Sequence, residues 1–136
     1  MNRTDQFIEW WRTHSGKFIN IEQILPYVVL HKVPDATDRA PTPLLIGPAS
    51  LQSTVIDSHD PQVCREHLVE KWGAFSADVV VKQRLVADRA EPDLTVGRFS
   101  ETGARKHFDF SRLLLPVRTT TGQKMLMAYT SAISVS

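Results

Sequence analysis

The closing stretch of the chain reads HFDFSRLLLPVRTTTGQKMLMAYTSAIS from His107 onward. Two β-rich apolar runs, residues 108–117 and 125–133, flank a threonine-rich stretch that ends in Gly122. This pattern predicts a long antiparallel hairpin. In the first run Phe108, Phe110 and Leu114 alternate with Leu113, Leu115 and Val117. In the second, Met125, Met127, Tyr129 and Ile133 alternate with Leu126, Ala128 and Ala132. A sheet with one face in water alternates apolar with polar residues, whereas here both parities are apolar. The hairpin therefore requires cover on two sides. Which parity faces which cover follows from an unbroken register, and a bulge near Pro116 would reverse part of it.

Upstream, residues 4–13 place Phe7, Ile8, Trp10 and Trp11 in one aromatic stripe at helical spacing, with Ser15-Gly16 as the stop. Asn20 is a candidate N-cap, with Gln23 in the capping-box position, for a single turn ending near Pro26. The run YVVLHKV at 27–33 is a predicted strand, 34–43 a loop, and 44–46 a second short strand broken by Gly47-Pro48. Asp60-Pro61 pairs an N-cap residue with proline at the first helical position. Val63, Cys64, His67, Leu68 and Trp72 follow at helical spacing until Gly73 interrupts. Ser76 is a candidate cap for a further helix to Arg89, with strand as the competing reading around Val79-Val80-Val81. Pro92 closes this region, 94–99 is a predicted strand, and Thr102-Gly103 a turn. The order is helix, two strands, a helical insertion and three strands. It predicts an α+β fold with five short antiparallel strands.

Composition narrows the class. At 136 residues with 42% hydrophobic and 23% charged positions, one domain with its own core is expected. A net charge of +1 supplies no general attraction to nucleic acid or anionic membranes. The basic residues Lys82, Arg84 and Arg89 form no continuous stripe, and the aromatic ladder of a nucleic-acid-reading sheet is missing. The N-terminus lacks the apolar core and cleavage site of a secretory signal. No apolar run reaches the roughly 20 residues that span a bilayer. With Cys64 as the sole cysteine, a reducing, cytoplasmic location is the expectation.

The element order and several short motifs resemble the PAS family, and more closely the single-domain PAS proteins common in alphaproteobacteria. Those motifs are Trp11-Arg12 in the first helix, Ile24-Leu25-Pro26 before the first strand, and Gly47 after the second strand. The Arg-Leu-Leu-Leu-Pro run at 112–116 and Gly122 before the last strand complete them. The resemblance runs over nearly the whole chain but does not align residues 51–90. It implies one PAS-like domain over 1–136, with 1–26 a helical cap and 27–136 the core. It also implies a five-stranded antiparallel sheet with helices inserted between strands 2 and 3, and a pocket between those helices and the inner sheet face. The N-terminal helix, a partner protomer or both would then cover the outer face, which makes Phe7, Ile8, Trp10 and Trp11 the docking candidates. A helix of that length is marginal alone in water and gains order by docking.

Candidate pocket residues from the first strand are Tyr27, Val29 and His31. From the hairpin they are Phe108, Phe110, Met125, Met127 and Tyr129, the methionines serving equally well as core packing. His31 is either a ligand contact, including an axial haem ligand, or a satisfied core histidine. Cys64 and His67, with His59 nearby, fall short of a zinc ligand set, so no metal site is expected. Cys64 acting as a nucleophile with His31 or His107 has no supporting local signature. Val63-Cys64-Arg65 lacks the asparagine of the flavin-binding LOV motif, which argues against LOV photochemistry. Asp109 and Arg112 are expected at a solvated strand edge or a partner contact. No paired carboxylates converge for acid–base work, since the acidic residues fall in loops and helix ends.

These readings favour a non-catalytic sensory or interaction module. It would bind a small ligand or protein partner, act as a homodimer through the N-terminal helix, and signal to a separate protein by a shift between packings. The alternative is a cone-shaped enzyme or binding protein resembling the nuclear-transport-factor-2 family. Two strands before the helical insertion favour the first; helices packed mainly ahead of the sheet favour the second. A filled adaptor with no cavity is the third reading.

Overall fold

The computed structural model of the protein describes residues 2–100 and 107–135. The turn expected at Thr102-Gly103 and the side chain of His107 lie outside the described residues. Helix α1 is Arg3–Thr13, followed by a 3-10 turn at Leu25–Tyr27 and strands β1 (Val29–Lys32) and β2 (Pro43–Ile46). Three helices come next: α2 (Leu51–Ile56), α3 (Pro61–Glu70) and α4 (Gly73–Arg89). Strands β3 (Asp93–Ser100), β4 (His107–Arg118) and β5 (Lys124–Val135) end the chain. The five strands form one antiparallel sheet in the order β2-β1-β5-β4-β3, an α+β architecture. Among the described residues no helix is long and apolar enough to cross a membrane.

Local chemistry accounts for most boundaries. Asn2 caps α1 by accepting the Asp5 amide at 2.9 Å, and the chain leaves the helix through left-handed Ser15 and Gly16. Asp60 caps α3 through the Gln62 and Val63 amides at 2.9 and 3.1 Å, with Pro61 at the first helical position. Two expected caps are corrected. Asn20 is left-handed, with φ 55°, and its amide meets His14 Nε2 at 3.1 Å, so it cannot take the extended backbone of an N-cap. Ser76 lies inside α4, where its hydroxyl donates to Leu68 O at 2.9 Å and ties α4 to α3.

The Val79-Val80-Val81 ambiguity resolves to helix because Ser76, Val79, Val80, Gln83 and Val86 form one buried stripe at helical spacing, with Val81 outside it. Helix α2 answers to no expected element. Its sequence signal is Ser50, whose hydroxyl accepts the Ser53 amide at 3.2 Å. Tyr27 belongs to the 3-10 turn and not to β1. Gly47 sits where a Cβ would come within 2.4 Å of both Leu25 O and Pro26 O, so only glycine lets β2 pass this turn. Gly122, at φ 91°, closes the β4–β5 turn with its amide on Thr119 O at 3.0 Å.

Register fixes the two faces. The ladder between β4 and β5 pairs Leu114 with Ala128, Leu115 with Met127 and Pro116 with Leu126 without interruption. Even positions thus face even positions. Val29 pairs with Ala128 and His31 with Leu126, which carries the inner face across β1. The register shift falls between Asp109 and Phe110, opposite Ile133, and not near Pro116. Proline is tolerated at 116 because β3 has already ended opposite Leu114. The carbonyl of Pro116 points to that open side and accepts the Trp11 indole N–H at 2.7 Å. Along the same edge, Phe18 N–H donates to Arg118 O at 2.8 Å and Arg118 N–H to Gly16 O at 2.9 Å.

The outer face carries the largest apolar cluster. Phe7 and Trp10 of α1 pack with Leu30, Leu113, Leu115 and Met127, and Ile8, Trp11 and Tyr129 border them. The aromatic stripe of α1 thus docks on its own sheet. The inner face is covered by α2, α3 and α4.

Candidate functional site

Between the inner sheet face and α2–α4 lies a cavity of about 80 Å³. Along β4 its wall is built from alternate residues, Phe108, Phe110, Arg112 and Leu114. Val29 and His31 of β1, and Ala128 and Thr130 of β5, continue that wall. The helices supply Gln52, Phe75, Ser76, Val79 and Gln83, and Trp72 stands just ahead of α4.

The cavity has an aromatic part and a polar part. Trp72 and Phe99 meet edge-on with centroids 4.6 Å apart, Phe75 and Phe99 at 5.3 Å, and Phe75 and Phe110 at 5.8 Å. Gly97 pairs with Phe110 across the strands, where a Cβ would come within 3.0 Å of the ring. One rung along, Arg112 pairs with Thr130 on β5 and Thr95 on β3. Its guanidinium lies 5.6 Å from the Phe110 ring centre, a cation–π placement.

Polar atoms lining this cavity stand without protein partners among the described residues. They are His31 Nδ1, Trp72 Nε1, Arg112 Nε and both amide atoms of Gln83. Gln83 is fully buried, His31 is 4% exposed and Arg112 9%. Natural proteins leave few buried polar groups unpaired, and each one costs stability. Their gathering around one cavity makes it the candidate site. Burial, with the Arg112 charge adding to it, lowers the His31 pKa to about 3, so the ring is neutral at physiological pH. Burial also pushes Arg112 below its ordinary value, partly offset by Asp93. Asp93 is itself engaged, 3.5 Å from Lys82 Nζ and accepting from the Thr95 hydroxyl at 2.8 Å.

The expected site residues divide between the two faces. Val29, His31, Phe108 and Phe110 line the cavity. Tyr27, Met125, Met127 and Tyr129 belong to the outer cluster under α1, with Phe7 meeting Tyr129 edge-on at 5.0 Å. The methionines face outward because even residues of β5 share the face of Phe110 and Leu114. Arg112 is also corrected, from a solvated edge to the cavity wall, while Asp109 pairs with Arg98 at 3.0 Å. Gln83 and Trp72 were not among the candidates. Their signal was a polar or amphipathic side chain inside an otherwise apolar buried stripe.

Other chemistries fit poorly. Cys64 is fully buried beside Val29 and Ile46, its thiol donates to Ser58 O at 3.3 Å, and burial raises its pKa, so it packs as an unreactive thiol. Among the described residues no three His, Cys, Asp or Glu side chains gather to hold a metal ion. A haem does not fit at His31, because a cavity of about 80 Å³ cannot admit the macrocycle without its wall opening. No family model matches the chain, and no curated protein matches it either.

Proposed function

We propose that the protein is a PAS-like sensory module that binds a small molecule between its inner sheet face and helices α2–α4. The observation that carries this reading is the cluster of unpartnered polar atoms on His31, Trp72, Gln83 and Arg112 around one cavity. Buried groups of this kind destabilise an empty protein and are retained where a ligand satisfies them. The strand order β2-β1-β5-β4-β3, with helices inserted after β2, supports the family part of the proposal. Two strands precede that insertion, which favours this reading over a cone-shaped enzyme. Among the described residues no Asp or Glu lines the cavity to pair with His31, so proton-transfer chemistry has no support there.

The proposed output passes to a separate protein, in the cytoplasm, through a second copy of the chain. Helix α1 spends its aromatic stripe on its own sheet, so the dimer surface falls on the outer face beside it. There Leu94, Val96 and Ile133 remain 54%, 68% and 56% exposed. Native mass spectrometry with an absorption spectrum on freshly purified protein tests both parts. A retained small mass on a dimer is the expected result, and Val96→Arg is expected to halve the assembly. A ligand-free monomer at high micromolar concentration would overturn the proposal.

A further inference from the structure

We propose that the cavity takes a small monocarboxylate with a compact aromatic or branched apolar body, its carboxylate on Arg112 and its body against Trp72, Phe75, Phe99 and Phe110. This rests on the ligand-binding reading above and adds the chemical class of the ligand.

Charge balance carries the inference. A guanidinium stays protonated in proteins, so Arg112 brings a full positive charge to a wall that is 9% exposed. Among the described residues no lining side chain is acidic. Asp93, the carboxylate that acts on Arg112, is shared with Lys82 and Thr95. A neutral ligand would leave the buried charge with only the partial offset from Asp93, and a dianion such as phosphate would exceed it. One carboxylate matches it, in the planar two-oxygen geometry a guanidinium pairs with best.

Two of the remaining unpartnered donors fit the same head. Trp72 Nε1 and a Gln83 amide hydrogen are donors, and a carboxylate accepts only. His31 is neutral and adds no second charge. The body is set by the wall. The edge-to-face rings of Trp72, Phe75 and Phe99 offer apolar surface without further polar atoms beyond the indole N–H. A cavity of about 80 Å³ confines that body to one ring or a short branched chain.

The three tryptophans give a site-specific readout. The Trp10 and Trp11 indoles donate to Ile19 O and Pro116 O, whereas Trp72 lines the cavity and its Nε1 has no partner among the described residues. Sodium benzoate, benzamide and inorganic phosphate would be titrated into the full chain and followed by proton–nitrogen NMR. Benzoate should move the Trp72 indole and Arg112 Nε–H resonances, leave Trp10 and Trp11 in place, and bind at least about tenfold tighter than benzamide. Arg112→Met should erase that preference, and Arg112→Lys, which keeps the charge but loses the planar fork, should reduce it. Benzamide binding as tightly as benzoate would overturn the carboxylate class and leave the ligand-binding reading standing. Phosphate matching benzoate would likewise overturn it. Failure of both aromatic probes to move Trp72 at millimolar concentration would sink both.

Discussion

His31 and Gln83 set the terms at the scale of single residues. His31 is held neutral, its pKa near 3 against an ordinary 6.5, by burial and by Arg112. Below pH 6.5 the unfolded chain takes up a proton at this position and the folded one does not. Stability therefore falls as pH drops from 6.5 toward 3, by up to ~1.4 kcal/mol per pH unit from this group. Thermal melts between pH 7 and 5 should fall steadily for the native protein and less steeply for His31→Gln. Equal slopes would mean that His31 gains a proton in the folded state. Gln83 presents the converse case, an amide fully buried with neither end paired among the described residues. Gln83→Leu keeps the volume and removes both unsatisfied atoms, so the ligand-free protein should gain ~1–2 kcal/mol and melt a few degrees higher. A lower melting temperature would show that the amide is already satisfied in solution.

Elements were legible where their chemistry is local. The long hairpin, the aromatic helix α1 and the Asp60-Pro61 start of α3 all stand within two residues of their expected bounds. What alternation could not give was its sign. Both parities of β4 and β5 are apolar, so only the pairing of Leu114 with Ala128 decides that Met127 goes to α1 and Ala128 to the cavity. The polar lining was hidden for a related reason. Gln83 and Arg112 look like surface residues until α4 and β4 are packed, and then each occupies a buried position in its element's repeat. Helix α2 is a six-residue element with too few turns to show a period. Gly47 was legible as a break, and its reason is tertiary, the approach of two carbonyl oxygens from the Leu25–Tyr27 turn. Gly47→Ala has to push that backbone away and should cost ~1–3 kcal/mol, read as a lower denaturant midpoint at unchanged slope. Ordinary stability in this variant would mean that the turn yields freely.

At the scale of the whole molecule, one pair of strands separates the cavity from the helix that would carry a signal. Arg112 and Leu114 face inward on β4, and Leu113 and Leu115, one residue away, face the α1 cluster. Displacing the strand on one side must displace the packing on the other, because close-packed interiors transmit strain. Helix α1 is held there by Phe7, Trp10 and the Trp11 indole on Pro116 O, the carbonyl two positions past Leu114. Trp11→Phe keeps most of the ring and removes that hydrogen bond, a loss of ~0.5–1.5 kcal/mol. Amide exchange in α1 should accelerate by about threefold to tenfold from a loss of that size. If the two faces are coupled, the Trp72 indole resonance on the far side of the sheet should move as well, although Trp72 and Trp11 lie on opposite faces. Coupling between sites requires an element whose equilibrium both of them bias, and β4 is the element both faces share. A Trp72 signal that stays in place while α1 loosens would make α1 a static cover, and the signal would then have to leave the protein by another surface.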